Sequence, residues 1–424
     1  MSHHHAHRHA PKIEPPSHAT DFDLIIVGAG LTGSALAVSL ADTSLRIALV
    51  DARAPSRPQG WPAQWDNRVY AISPGSADLL AHIGCWQHLT PDRLQRVEQM
   101  VVSGDAGGVI NFSAFDIGTE ELAWIVESSE MACELWTSVS RQRNVTCFCP
   151  AEPRSLQVNA DHAVLSLTSG QPLHGKLIVG ADGRDSWVRA QMGLSSQHDP
   201  YNELGVVANF RTELPHFGTA YQWFRADGVL AYLPLAGGAT QDQGKMISMV
   251  WSAPEAFANE LLNLSAEDLA YRVANAGENK LGRLALMVPA VGFPLKLVRV
   301  PQVVAPRVAL LGDAAHGIHP LTGHGVNLGF QDVRVLADVI RTARAVDDLG
   351  DVRLLSRYQR ARREEVVVLQ SMTDAMRKLF ASKAPGLSPL RNLGLSLTDK
   401  LRTFCEREVD LIGMVYSVRF TIAT

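Results

Sequence analysis

One segment near the N-terminus restricts the fold more than any other: Gly28-Ala-Gly30-Leu-Thr-Gly33, set between an apolar run and a helical pattern. The run before it, FDLIIV (22–27), is short and almost continuously apolar, the texture of a parallel strand buried on both faces. After the glycines comes LTGSALAVSLAD, then a second such run, RIALV (46–50), closed by Asp51. Strand, glycine turn, helix and strand form a βαβ unit of about 30 residues. In that unit Gly28 permits the tight turn, Gly30 lets a pyrophosphate approach the backbone, and Gly33 lets helix pack on strand. The helix N-terminus offers free N–H groups and a positive dipole end to phosphate. Asp51 suits the hydroxyls of an adenosine ribose.

Two more glycine-acid segments follow buried strands. Gly180-Ala-Asp182-Gly183-Arg184-Asp185-Ser186 comes after KLIV, with Arg184 and Asp185 also suited to capping a helix. The stretch from Gly312-Asp313 through His316, His319, Pro320, Gly323, His324, Gly325 and Val326 to Asn327 comes after VALL. Asp313 falls at a strand's carboxyl end, where open α/β sheets bind ligands, and suits the ribityl hydroxyls of a flavin. Gly323 and Gly325 allow close approach of a flat ring. A helix starting near Val326 aims its positive end at that ring, stabilising negative charge on a reduced flavin. The fingerprint alone does not choose FAD over NAD; the three segments in this order favour FAD. A second GxGxxG, which a resident nicotinamide domain would show, is missing.

The chain has 424 residues, more than one core usually serves. The middle alternates aromatic and β-branched residues, including Tyr221, Trp223, Phe224, Tyr232 and the run MISMVW, and predicts an antiparallel sheet. Those aromatics suit either an apolar substrate cavity or the sheet's core. The expected architecture is α/β with an α+β second lobe: a Rossmann-like FAD-binding domain (21–76, 98–189 and 298–345) with an inserted antiparallel-sheet substrate domain (77–97 and 190–297). Helical periodicity over 333–346 and 354–380 opens a C-terminal helical region (346–424). The His/Pro-rich residues 1–20 are expected to be a disordered tail. A net charge of −4 gives no sign of nucleic-acid binding. Five cysteines without a CxxC pair fit reduced thiols in the cytoplasm. No run approaches the roughly 20 apolar residues of a membrane helix.

Here the sequence resembles the flavoprotein aromatic hydroxylases of the p-hydroxybenzoate hydroxylase fold. Within them it is most similar to the ubiquinone-biosynthesis hydroxylases. The fingerprint with Asp51, Asp182-Gly183, Gly312-Asp313, the segments DNRVYAIS (66–73) and GDAAHGIHPLTGHGVNLGFQD, LAYLPL (230–235) and TDAMRKLF…RNLGL carry the likeness. It spans most of the chain from Asp21 to about Gly413. The resemblance implies that Arg68 lies near the flavin, that Asp182 and Gly183 serve FAD and NAD(P)H, and that Gly323 to Asn327 line the isoalloxazine. Against the family pattern, Asp51 replaces a common glutamate, His324 a common glutamine, and WIVESSE lacks an asparagine.

The implied chemistry is hydroxylation of a prenylated phenol with NADPH or NADH and O2, through a flavin C4a-hydroperoxide. The flavin carries the reaction, so no metal site is expected. His316, His319, Pro320 and His324 are weak catalytic candidates, since a titrating histidine assists proton movement. From Asp351 onward thirteen Lys or Arg face eight Asp or Glu. Basic helices with apolar faces suit a membrane surface, and a solvated face explains them equally. The implied location is cytoplasmic, peripheral at the inner membrane face, beside other ubiquinone-biosynthesis proteins; the oligomeric state stays open. Two alternatives remain: a hydroxylase of a small polar aromatic, and a non-catalytic lipid-binding or scaffold subunit.

Overall fold

The computed structural model describes residues 21–61, 64–105, 107–238, 242–317, 325–344 and 347–381; side chains at 21, 198–201, 297 and 372–381 are not described. Expectations for residues 1–20, His319, Pro320, Gly323, His324 and the region after 381 lie outside these residues.

The apolar runs form one sheet. Its strands lie in the order Val304–Ala305, Val308–Leu310, Pro172–Gly180, Asp21–Val27, Ile47–Val50 and Val145–Phe148. All pairs inside that path are parallel except the edge pair Val304–Ala305 with Val308–Leu310. An antiparallel flap, Pro153–Val158 and Ala163–Leu167, grows from Pro172–Gly180. Helices cover one face of the sheet and the flap helps to cover the other, so the central strands are fully buried.

Gly28 is held at φ +108°, and a Cβ there would stand 2.3 Å from the Ala181 carbonyl oxygen. A Cβ on Gly33 would stand 1.9 Å from the Gly28 oxygen. Only glycines let the helix Leu31–Ser39 sit this close to its strand. That helix is buried on all sides from Gly33 onward, which explains its lack of a polar face.

A second sheet of seven strands runs Leu284–Arg299, Gln197–Thr212, Met246–Pro254, Gly228–Leu235, Thr219–Arg225, Gln99–Ser103 and Val109–Ser113. One pair, Thr219–Arg225 with Gln99–Ser103, is parallel. Two helices, Glu255–Leu262 and Ala266–Ala276, pack with its outer face into a separate core. A three-stranded sheet of Val69–Ile72, Ala123–Glu127 and Gln95–Val97 closes the space between the lobes.

The structure moves two domain assignments. The helix Pro74–His82 buries Leu79 and Leu80 in the first lobe's core, so 77–89 does not belong with the second lobe. Conversely, 99–103 and 109–113 extend the second sheet rather than the first. The segment 99–103 carries no local signal of its partner, because the pairing strand 219–225 lies over a hundred residues away. After the second sheet come the helices Gly325–Arg341 and Val352–Ala381. Neither these nor any other described helix is long and apolar enough to cross a membrane.

Candidate active site

A cavity of about 1120 Å³ lies between the carboxyl ends of the parallel strands and the inner face of the second sheet. Its floor repeats one local design. Each central strand ends in a turn that turns a glycine or an acid toward the cavity: Gly28 and Gly30, Asp51, Asp182 and Gly183, Gly312 and Asp313. Arg68, Gly325 and Val326 also line it. Thus the cavity gathers ten of the residues singled out from sequence, drawn from five separate stretches.

Asp51 locks the fingerprint loop. Its carboxylate accepts from the Ala29 N–H at 2.6 Å and from the Arg53 N–H at 2.9 Å. Asp182 accepts from the Val188 N–H at 2.9 Å through one oxygen, while its Oδ1 is buried with no partner. Asp313 lies 3.8 Å from the Arg184 guanidinium, which also donates to the Pro294 carbonyl of the second sheet at 3.4 Å. Arg184 therefore ties the floor to the roof.

Arg68 is positioned by a buried pair that its own segment does not reveal. Arg93 meets Glu127 through Nε at 2.6 Å and through Nη2 at 2.8 Å. Arg93 also stacks on Trp65 at 4.1 Å. Glu127 accepts the Asp66 N–H at 2.5 Å, and Asp66 accepts the Arg68 N–H at 2.9 Å. Burial pushes the Glu127 carboxyl up, and the paired Arg93 does not fully cancel that push. The Arg68 guanidinium stands 5.4 Å over the Tyr70 ring, and burial raises that phenol.

Two expectations change. Asn327 is not among the lining residues. Its amide stitches the helix Gly325–Arg341 to the chain beside it, accepting from Ser73 N–H at 2.9 Å and donating to the Ala71 carbonyl at 2.8 Å. His316 sits behind the cavity floor, 4% exposed, with Nε2 2.5 Å from Asp332 Oδ2. Asp332 also accepts the Gly312 N–H at 3.0 Å and the Arg362 Nε–H at 2.7 Å. Burial lowers the His316 pKa, but the charge and hydrogen bond of Asp332 outweigh it and hold the imidazole above its usual range. Burial likewise raises Asp332, and His316 with Arg362 overcomes it, holding the carboxyl below its usual range. The His316 imidazole is a structural brace for the Gly312 turn.

Of the aromatic set, Trp223 and Tyr232 belong to the outer core and Phe224 to the core between the lobes. Tyr221 lines the cavity and stacks on Trp223 at 5.7 Å.

These features fit a flavin dinucleotide. The volume exceeds the usual range for a single small ligand. A Cβ on Gly30 would meet nothing within 4 Å, so the fingerprint backbone faces open space where a pyrophosphate is expected. Asp182 Oδ1 awaits a donor. Fold and site together define an FAD-dependent aromatic monooxygenase of the p-hydroxybenzoate hydroxylase fold.

Comparison with known proteins makes this specific. The FAD binding domain family model matches residues 21–370. The 3-demethoxyubiquinol 3-hydroxylase of Escherichia coli is 31% identical, over 89% of this chain and 95% of that one. Ubiquinone hydroxylase UbiL of Rhodospirillum rubrum is 30% identical, over 89% and 86%. The probable FAD-dependent monooxygenase PqsL of Pseudomonas aeruginosa shares the fold at a TM-score of 0.70 and 22% identity, over 89% and 99%. The chain belongs to the ubiquinone-hydroxylase family of FAD-dependent monooxygenases.

Proposed function

We propose that this protein hydroxylates the ring of a polyprenylated phenol in ubiquinone biosynthesis, with NAD(P)H and O2 as co-substrates. The observation that carries the substrate class is the cavity's roof. The second sheet contributes Met100, Val207, Ala220, Val229, Ala231, Leu233, Val250 and Phe293 to it. Lys296, exposed to solvent, is the sole charged side chain that this sheet places among the described lining residues. A small aromatic acid bound there would leave its carboxylate without a buried partner. A neutral ring with a hydrocarbon chain suits it.

FAD, when bound, accepts a hydride from the nicotinamide and activates oxygen for transfer to the ring. The chain's residues bind and orient. Gly28, Gly30 and Gly33 with the N-terminus of the helix Leu31–Ser39 would hold the pyrophosphate, and Asp51 the adenosine ribose. Asp182, Gly183, Gly312 and Asp313 would hold the middle of the cofactor, and Arg68 would stand beside its ring. The first turn of Gly325–Arg341 would present N–H groups to that ring, where negative charge gathers on reduction. Pro320 and Gly323 are proposed as further cofactor-binding residues, and His319, Pro320 and His324 as weak catalytic candidates. The apolar roof keeps water from the reacting atoms.

The deciding experiment is a mass-spectrometric profile of quinone lipids from a host lacking this gene. An accumulating prenylphenol one hydroxyl short supports the proposal and names the ring position. An unchanged quinone pool favours a small polar aromatic instead.

A further inference from the structure

The central row of the apolar roof carries one polar side chain. Strand register brings Val207, Val250, Ala231, Gln222 and Val102 into one row across five strands. Residues opposite one another on neighbouring strands share a face. Gln222 therefore faces the way its neighbours Ala231, Val250 and Val207 face, and all four line the cavity. Gln222 is 3% exposed, no hydrogen bond joins its amide to a described residue, and the amide is not sealed off from the cavity it lines. Buried amides are rarely left unpaired, because burial without a partner is unfavourable. Inside a ligand cavity, the group that fills the cavity is the expected partner.

Resting on the reading that a neutral phenol occupies this cavity, we propose that Gln222 recognises the ring through its oxygen substituent. The amide donates through Nε2 and accepts through Oε1, so it serves a hydroxyl in both senses and a methoxy oxygen in one. Carrying no charge, it selects against ring acids, whose carboxylate it does not neutralise. Ser252 lines the same cavity with its Oγ also buried and unpartnered. It lies two strands away, roughly 10 Å across the sheet, and addresses a different part of the ligand.

The test compares the purified holoenzyme with Gln222→Met, which keeps length and removes hydrogen bonding. Perturbation of the flavin absorbance reports binding of 2-geranylphenol and of geranylbenzene, which lacks the oxygen. A parallel pair, 2-methylphenol and toluene, lacks the chain. Flavin content and Tm establish that the variant is folded, and Gln222→Ala replaces it should flavin be lost. The expected result is that the native preference for phenol over hydrocarbon falls about tenfold in the variant, the worth of one hydrogen bond to a buried amide, with hydrocarbon binding unchanged. Equal weakening of both ligands, or an unchanged preference, overturns the inference. If the Gln222 effect appears in both pairs while the geranyl chain adds no affinity, the prenyl reading falls and the role of Gln222 stands.

Discussion

At the residue scale the most consequential side chain is the acid that closes GDAAHGIHPLTGHGVNLGFQD, whose role the sequence reading did not assign. Asp332 is fully buried and joins His316, Arg362 and the Gly312 backbone, so it fixes the turn that carries Asp313. Replacing it by alanine leaves the buried His316 without its counter-charge and Arg362 with Glu365 as its remaining partner. The expected loss is about 3–5 kcal/mol, read as a fall in Tm together with reduced flavin retention. The same network predicts a pH dependence. His316 titrates above its usual 6.5, so its contribution is complete below pH 6.5 and fades as pH rises through the raised value. Asp332 titrates below its usual 3.8, so its contribution holds above that and fades as pH falls further. The Tm advantage of the native protein over His316→Gln is therefore largest between about pH 4 and 6.5 and shrinks toward pH 9. A Tm difference that stays flat across that range would contradict the shift. Sequence reading noticed His316 but missed its role, since its partner Asp332 stands 16 positions away and only folding brings the two behind one turn.

At the scale of elements, the fingerprint unit was the most legible part of the chain. Its strand, turn and helix are neighbours in sequence, and each has a distinct composition. Gly28→Ala tests the unit directly. A Cβ at φ +108°, 2.3 Å from a carbonyl oxygen, forces the loop away from Ala181. The protein should be recovered colourless, without the visible absorbance of FAD, while retaining most of its secondary structure by circular dichroism. The anchoring of Arg68 was not legible in the same way. Arg93 reaches it through Glu127 and Asp66, three residues on separate segments. Glu127→Gln should weaken that chain, loosening Arg68 and lowering affinity for FAD, with little change in the nicotinamide-independent fold. Flavin release during gel filtration checks it.

At the scale of the whole molecule, the proposed activity calls for an apolar roof facing a polar floor. Val250→Arg places a charge in that roof without touching the fingerprint. FAD should stay bound, while prenylphenol hydroxylation falls and any remaining NAD(P)H oxidation yields hydrogen peroxide; paired product and peroxide assays separate the two. Local chemistry was enough to establish the dinucleotide lobe, its ordered glycine-acid turns and the antiparallel texture of the middle, because short-range periodicity and backbone freedom are written in adjacent residues. Assigning 77–89 to the first lobe and 99–113 to the second sheet, turning Asn327 away from the cavity and setting Gln222 alone in an apolar row required the folded chain. Those features are pairings between distant segments, settled by which surfaces bury against each other and by which buried polar groups then find partners.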